Sequence, residues 1–412
     1  MHHPPILERF LRYVKIDTMS DSNVVGKRPS TEGQFELLEL LKEELLALKV
    51  EDITLSPEGY LVARIPSNAP HKKIPTIGFM AHVDVADDVM GNGVNPRVIE
   101  TYDGQDIVLN DAYTLTVEEN PTLKEYKGTT LVVTDGTTLL GGDNKAGVAI
   151  LVTLAANLLA PTSIEHGEVE LIFTTDEEIG RGMEGVDVSQ LRSRCCYTID
   201  GSARGEIDAE CFNAATVTVD FYGVPFHLGA AKGRMVNSVT MAASFIGSIP
   251  QLESPEASEE REGYYCAEQI RGSIAHTNVV LYLRDFDLDQ LKRRIRALES
   301  LAESVELLYT NGKVELKSEI VYKNMFNYIK EDPAVMEAIF KAGERIGIPL
   351  KERFIRGGTD GSRLSEMGIP TPNIFTGSHN LHSRYEWLSL TTMEESLRLV
   401  EEIVAFWAGE AP

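Results

Sequence analysis

Histidine and acidic side chains stand at or shortly after the ends of several short apolar runs of this sequence. The residues placed in this way are His82, Asp84, Asp176, Glu177, Glu178, Asp200, His379 and His382. Asp143 differs, because it stands in a glycine-containing segment just before a helical pattern. Imidazole and carboxylate groups together are a ligand set typical of zinc, and cobalt or manganese could occupy the same set. Each residue alone could be a helix cap, a surface acid or a structural histidine, but their common placement favours a metal site.

Short apolar runs with the length and composition of buried strands cover residues 77–83, 131–133, 169–173 and 197–199. A further run, residues 373–375, leads towards His379 and His382. Continuous rather than alternating apolar runs indicate strands that are buried on both faces, as in an α/β sheet. In such sheets, binding groups gather outside the carboxyl ends of the strands. One crevice is therefore expected to collect ligands from distant segments.

Helices are predicted between and around these strands. Residues 146–159 are rich in helix formers, and residues 35–48 form a second apolar-rich helical pattern. Thr31 and Gln34 have the spacing of a capping box ahead of the second pattern. Two further helices are expected over residues 334–346 and 393–408.

From about Phe212 the pattern changes. Val217, Val219 and Phe221 alternate with polar residues, which is typical of a strand with one face in water. Helices are predicted over residues 238–249 and 288–307, and strands over residues 279–283 and 313–320. This β-α-β-β-α-β-like order predicts a small, ferredoxin-like α+β domain. The simplest architecture is an α/β domain with a mixed sheet, made of residues 1–211 and 322–412, that is interrupted by an inserted domain of residues 212–321.

The composition argues against several classes of partner. Acidic residues outnumber Lys and Arg by 63 to 39, which gives a formal charge of −24, and such a charge repels nucleic acids and anionic membranes. The N-terminus lacks a signal-peptide pattern, and the longest apolar run, residues 147–160, is too short to span a bilayer. The four cysteines form no disulfide pattern, so reduced thiols and a cytoplasmic location are expected.

Several segments of the sequence resemble the M20 metallopeptidase family in order and in spacing. The matching stretches are AHVDV at 81–85, TLLGGDNKAGVA at 138–149, FTTDEEIG at 173–180, YTIDG at 197–201, RGGTDG at 356–361 and HSRYEW at 382–387. Two more, GVNPRVIETYDGQDI at 93–107 and LRDFD at 283–287, are similar to the tripeptide aminopeptidases of that family. The resemblance covers nearly the whole chain and implies a zinc-peptidase-like catalytic domain with an inserted lid domain.

The resemblance also implies a role for each matching residue. Two zinc ions per subunit would be held by His82, Asp143, Glu178, Asp200 and His382, with His82 and Asp200 on one ion, Glu178 and His382 on the other, and Asp143 bridging both. Asp84 would hydrogen-bond the imidazole of His82. Glu177 would be the general base for a metal-bridging hydroxide that attacks the scissile carbonyl.

Residues outside this set would bind the substrate, a short peptide with a free N-terminus. The resemblance assigns the oxyanion donor to His227 of the inserted domain and the peptide carboxylate to Arg284. For Arg284, a surface salt bridge with Asp285 or Asp287 is the alternative. Arg356 and Asn380 are further candidates for the substrate site. In relatives the inserted domain often mediates dimerisation, so a homodimer is compatible with the resemblance.

Other functions remain open at this point. The same metals and base would serve a dipeptidase, a carboxypeptidase or an N-acyl-amino-acid amidohydrolase. A non-catalytic peptide-binding protein is disfavoured because the base and all the ligands are present. Gly141 and Gly142 before a helix suggest a nucleotide site, but no G-x-G-x-x-G or Walker A pattern accompanies them and Asp143 would repel phosphate.

Overall fold

The computed structural model describes residues 3–409, which form two compact units. The first unit contains the residues up to Ala209, residues 325–353 and the residues from Thr359 onward. The second unit contains residues 210–324 and residues 354–358. It is thus wider than the 212–321 segment predicted from the sequence, and it includes a short stretch from the C-terminal part of the chain.

The first unit begins with alternating helices and strands. In chain order these are α1 (Pro5–Tyr13), α2 (Glu32–Ala47), β1 (Asp52–Ser56), β2 (Tyr60–Ile65), β3 (Ile77–His82), β4 (Arg97–Ile99), β5 (Ile107–Val108), β6 (Thr114–Leu115), β7 (Leu131–Val133), α3 (Gly142–Leu158), β8 (Val169–Thr174), β9 (Cys196–Gly201) and β10 (Glu206–Cys211).

The second unit follows the predicted order. Its elements are β11 (Asn213–Tyr222), α4 (Ser238–Gly247), β12 (Tyr264–Gly272), β13 (His276–Asp285), α5 (Leu288–Leu308) and β14 (Lys313–Tyr322). The chain then adds α6 (Phe326–Ile329), α7 (Pro333–Ile346), β15 (Lys351–Ile355), α8 (Asp360–Glu366), β16 (Asn373–Phe375), β17 (Ser378–His379), β18 (Trp387–Ser389) and α9 (Leu390–Gly409).

An eight-stranded mixed sheet, in the order β1-β2-β8-β3-β9-β16-β10-β15, dominates the α/β part of the fold. Its central strands β8, β3, β9 and β16 are parallel to one another. Both faces of the sheet are covered, because Phe79 and Ala81 of β3 belong to one core cluster while Met80 belongs to another. This two-sided burial explains the continuous apolar runs and confirms the predicted α/β sheet.

The second unit has the four-stranded antiparallel sheet β12-β13-β11-β14, and α4 and α5 pack on one face of it. Val217, Val219 and Phe221 lie in its core and alternate with less buried residues, as predicted. The predicted order includes a strand at the place of β12, but no residues were assigned to it, because most of its residues are exposed and it pairs at the sheet edge with an irregular register.

The capping box predicted at Thr31 and Gln34 is wrong. Thr31 precedes α2 but makes no side-chain capping hydrogen bond, since its hydroxyl donates to the main-chain oxygen of Met19. Gln34 is fully buried and donates to the carboxylate of Asp176 (2.7 Å), whose N–H donates back to the Gln34 amide oxygen (2.9 Å). The pair therefore anchors the segment that follows β8 and does not cap the helix.

A small antiparallel sheet, in the order β17-β18-β7-β4, carries the segment that contains His379. The four cysteines are free thiols; Cys266 is partly exposed and the other three are buried. Among residues 3–409, no helix is both long and apolar enough to cross a membrane.

Candidate metal centre

The parallel strands of the large sheet deliver most of the predicted ligands to one edge. His82 is the last residue of β3, Asp200 lies near the end of the neighbouring β9, and Glu177 and Glu178 follow β8. Asp143 lies at the start of α3, where its φ and ψ angles are not helical. The carboxyl ends of parallel strands thus gather these side chains, as expected for this class of sheet.

One group of candidate ligands consists of His82, Asp143 and Asp200. The Nε2 atom of His82 lies 3.1 Å from Oδ1 of Asp143 and 3.2 Å from Oδ1 of Asp200. A second group consists of Asp143, Glu178 and His382, and its His382 Nε2 atom lies 2.9 Å from Oε2 of Glu178 and 3.5 Å from Oδ2 of Asp143. Within each group the ligand atoms lie within 4.8 Å of one another.

Asp143 belongs to both groups and directs a different carboxylate oxygen to each. Its Oδ1 atom faces His82 and its Oδ2 atom faces His382. A carboxylate shared in this way is suited to bridge two cations. His379, the other histidine of its segment, belongs to neither group; it stacks on Trp387 with ring centroids 4.0 Å apart and contacts the hydroxyl of Tyr126.

An unpaired oxygen in this cluster indicates that a cation fits there. Oε1 of Glu178 is buried and has no hydrogen-bond partner among residues 3–409. Leaving a buried acceptor without a partner is costly, and a bound metal would supply the missing ligand. Imidazole and carboxylate donors are the set that zinc, cobalt and manganese all accept.

The pKa values of the clustered side chains are shifted because several carboxylates and two imidazoles lie close together in a buried site. Burial, reinforced by the Asp143 carboxylate, raises the pKa of Glu178 to about 8. Burial likewise raises the pKa of Asp200 to about 6, against the opposing charge of His82. Hydrogen bonds with Asp143 and Glu178 raise the pKa of His382 to about 11. A divalent cation would relieve the repulsion that these shifts express.

Asp84 holds the two glutamates in place as well as approaching the imidazole of His82. Nδ1 of His82 lies 3.2 Å from the main-chain oxygen of Asp84 and 3.3 Å from its Oδ1 atom. The fully buried carboxylate accepts the N–H groups of Glu177 and Glu178, each at 3.1 Å. The contact with the imidazole was predicted, but the contact with the two main-chain N–H groups was not.

Glu177 belongs to neither metal group, although its Oε2 atom lies 3.9 Å from Nε2 of His82. Burial and the charges of Asp200 and Asp360 hold its pKa well above the usual value, against the opposing charge of His82. Asp176, the residue before it, adopts a left-handed φ of 59°. The turn directs Glu178 to the metal groups and leaves Glu177 as a carboxylate beside them.

The sequence did not identify three acids that surround the site. Asp88 places Oδ2 3.1 Å from Nδ1 of His382. Asp360 accepts a 2.6 Å hydrogen bond from the hydroxyl of Thr174, and burial raises its pKa to about 7. Glu386 contacts the segment that carries Asp143. Only the match of RGGTDG, which contains Asp360, and of HSRYEW, which contains Glu386, could have pointed to two of them.

Asn380, a predicted substrate-binding residue of the first unit, adopts a left-handed φ of 54°. Its side-chain amide group donates to Oδ1 of Asn120 (2.8 Å) and to the main-chain oxygen of Tyr385 (3.1 Å). Both amide hydrogens are therefore used within the protein, and the side-chain oxygen is the atom that remains to contact a ligand.

The other predicted substrate-binding residues lie in the second unit. His227 is exposed in the loop after β11. The guanidinium of Arg284 lies over the rings of Tyr282 and Tyr322, 5.6 and 5.7 Å from their centroids. The acids considered as its salt-bridge partners are engaged elsewhere, because Asp285 pairs with Arg294 and Asp287 caps α5.

Arg356 is held by the loop that precedes β12. Its guanidinium donates to the main-chain oxygens of Ser258, Glu260 and Glu262 at 2.8–3.2 Å. It also lies over the rings of Phe212 and Tyr264. These contacts give Arg356 a structural role in holding the loop before β12. Its role in substrate binding stays a prediction.

Known proteins resemble this chain over nearly its whole length. The model of the peptidase family M20/M25/M40 matches residues 116–405. Peptidase T of Geobacillus sp. (strain WCH70) is 42% identical over 408 residues, which cover 98% of this chain and 99% of that protein. Peptidase T of Clostridium perfringens (strain 13 / Type A) is 43% identical over 401 residues, with 97% and 98% covered. The crystal structure of aminopeptidase PepT from Bacillus cereus ATCC 10987 has a TM-score of 0.77 at 22% identity, with 98% of each chain covered.

Proposed function

This chain belongs to the M20/M25/M40 peptidase family and is a peptide-bond hydrolase, and we propose that it is a two-zinc aminopeptidase that releases the N-terminal residue of tripeptides. The observation that carries the two-metal proposal is the shared carboxylate of Asp143, whose two oxygens face two separate ligand groups. The names of the relatives, Peptidase T, support the choice of substrate.

The ligand groups would hold one metal each. His82 and Asp200 would bind the first ion, Glu178 and His382 would bind the second, and Asp143 would bind both. Bound zinc would polarise the scissile carbonyl and lower the pKa of the attacking water. The Nδ1 atoms of His82 and His382 face Asp84 and Asp88 respectively, so each imidazole is oriented with Nε2 towards the metal position.

Glu177 would move the proton between water and the leaving group. Its carboxylate takes a proton from the attacking water as the C–O bond forms, and it gives that proton to the departing amine nitrogen as the C–N bond breaks. The contact of its main-chain N–H with Asp84 fixes the direction from which Glu177 approaches.

The predicted substrate contacts complete the proposal. His227 would donate to the developing oxyanion, and Arg284 would bind the C-terminal carboxylate of the peptide, for which its planar guanidinium is suited. A fixed carboxylate anchor would make the site measure peptide length. The side-chain oxygen of Asn380 could accept a hydrogen bond from the substrate. Dimerisation and a cytoplasmic location stay predictions from the sequence.

The test is a substrate panel for the zinc-loaded protein. It compares Ala-Ala-Ala with the dipeptide, the tetrapeptide, N-acetyl-Ala-Ala-Ala and N-acetyl-Ala. We expect release of N-terminal alanine from the free tripeptide and a much lower rate with the other peptides. Cleavage of the dipeptide alone, of N-acetyl-Ala, or from the C-terminus would assign the protein to another activity of the family. A metal-loaded protein that cleaves none of these substrates would favour a binding function.

A further inference from the structure

The buried carboxylate of Glu386 occupies a cradle of main-chain N–H groups. Glu386 lies just before β18 and is 1% exposed. Its Oε2 atom accepts hydrogen bonds from the N–H groups of Leu140 (2.7 Å) and Gly141 (2.8 Å), and its Oε1 atom accepts from the N–H of Asp143 (3.1 Å). Successive N–H groups that converge in this way form an anion-binding concavity.

The two glycines that suggested a nucleotide site serve this internal carboxylate. Gly141 adopts a left-handed φ of 80°, which costs a glycine little. A Cβ atom on Gly142 would lie 2.9 Å from Oε1 of Glu386 and 2.6 Å from the hydroxyl of Ser378, closer than side chains pack. The glycines thus allow the main chain to close around a negative charge that the protein itself supplies.

The position of Asp143 depends on its contact with the Glu386 carboxylate, because regular helix geometry begins only after Asp143. Asp143 and Asn144 have non-helical φ and ψ angles, although they lie within the bounds of α3. The helix ladder therefore does not fix the main chain of Asp143. Its N–H is instead held by Glu386, and the preceding residues are held by the same carboxylate.

Glu386 also holds the segment that contains the candidate ligand His382. Its own N–H donates to the main-chain oxygen of Ser383 (3.2 Å), in the turn that directly follows His382. One residue thus connects the segments of Asp143 and His382, which are far apart in the sequence.

We propose that Glu386 is a positioning residue that holds the Asp143 and His382 segments in register and thereby sets the affinity of the centre for its metals. The inference rests on the two-metal site proposed above. Glu386 binds no metal itself and acts only through the main chain of its neighbours. The substitution of groups that orient metal ligands typically lowers metal affinity or activity by about 10- to 100-fold.

The test is the substitution Glu386→Gln. An amide has one acceptor oxygen, and its NH2 group would face an N–H donor, so at least one of the three hydrogen bonds is lost. We expect the zinc dissociation constant, measured by competition with a chromogenic chelator, to rise about 10- to 100-fold. Excess zinc should restore part of the tripeptidase activity, because the defect lies in metal affinity.

The matched control is Glu395→Gln, which alters another buried glutamate of the first unit. Glu395 is 8% exposed and pairs with Arg204 at 2.6 and 2.9 Å. Its substitution should leave the zinc dissociation constant within about threefold. A similar loss of zinc affinity in both variants, or wild-type affinity in Glu386→Gln, would overturn the inference.

A second variant covers the case in which Glu386→Gln does not fold. Gly142→Ala retains the carboxylate but places a methyl group 2.9 Å from it, so zinc affinity should again fall; unchanged affinity would refute the positioning role. Failure of the two-metal site is distinguishable, because in that case the wild-type protein itself would bind no zinc. Failure of the proposed substrate would instead appear in the peptide panel and would leave the comparison of zinc affinities intact.

Discussion

The substitution Asp84→Asn should weaken zinc binding and tripeptide cleavage together. The Asp84 carboxylate accepts the N–H groups of Glu177 and Glu178 through separate oxygens, each at 3.1 Å. Asparagine has one acceptor oxygen, so one N–H loses its partner and faces an NH2 group instead. The turn that directs Glu178 towards the metal groups should therefore relax.

The magnitude follows from the hydrogen bond that is lost. A hydrogen bond to a charged group contributes about 1.5–3 kcal/mol when it is buried, and Asp84 is fully buried. If this free energy is expressed in metal binding, zinc affinity falls by about 10- to 100-fold at 1.4 kcal/mol per tenfold. The same range is found when groups that orient metal ligands are substituted.

The assay is a chelator competition with zinc, beside kcat/KM for Ala-Ala-Ala at saturating zinc. Asp187→Asn is the control, because Asp187 is an exposed residue that caps a short 3-10 turn and asparagine caps equally well. A zinc affinity of Asp84→Asn within about twofold of the wild-type value would refute the argument. The hydrogen bonds from the N–H groups of Glu177 and Glu178 to Asp84 would then contribute nothing to zinc binding.

Three further predictions concern the base, the carboxylate anchor and pH. Glu177→Gln should lower kcat about 10²- to 10⁴-fold with unchanged zinc content, and substantial residual turnover would exclude Glu177 as the base. Arg284→Ala should raise KM about tenfold or more for Ala-Ala-Ala but not for its C-terminal amide; an equal effect on both would exclude a carboxylate anchor. Burial lowers the pKa of His379 to about 4. Only the unfolded chain therefore takes up this proton as the pH falls from about 6.5 to 4, and stability should fall by up to about 3 kcal/mol in that window. In the His379→Phe variant, the urea midpoint of unfolding should therefore change less with pH in that window. A pH dependence equal to that of the wild type would contradict the reasoning.

The central strands were predictable because burial on both faces requires a continuous run of apolar residues in the local sequence. Strands β3, β8 and β9 appear in the sequence as continuous apolar runs, and their carboxyl ends carry the acids and His82. Strand β12 has no such apolar run, since most of its side chains are exposed at a sheet edge. The three-residue strands β4, β7 and β18 are too short for their pairing in one sheet to be inferred from local pattern.

Residue type and placement after apolar runs identified a set of candidate ligands, and the family resemblance implied which of them bind metal. The groups that hold those ligands needed the structure. Glu386 contacts Leu140 across 246 positions of sequence, and Asp88 contacts His382 across 294. Neither acid differs locally from a surface residue. The same limit explains the error at Gln34, whose spacing from Thr31 fits a cap but whose side chain is buried against Asp176.

The most direct test of the proposed mechanism is the number of zinc ions bound per chain when hydrolysis of Ala-Ala-Ala reaches its maximum. The metal-free protein would be titrated with zinc, with bound metal measured by mass spectrometry and alanine release measured in parallel. Two ligand groups that share Asp143 predict maximal activity at two zinc ions per chain. Full activity with one ion, or with none, would contradict the proposed two-metal centre.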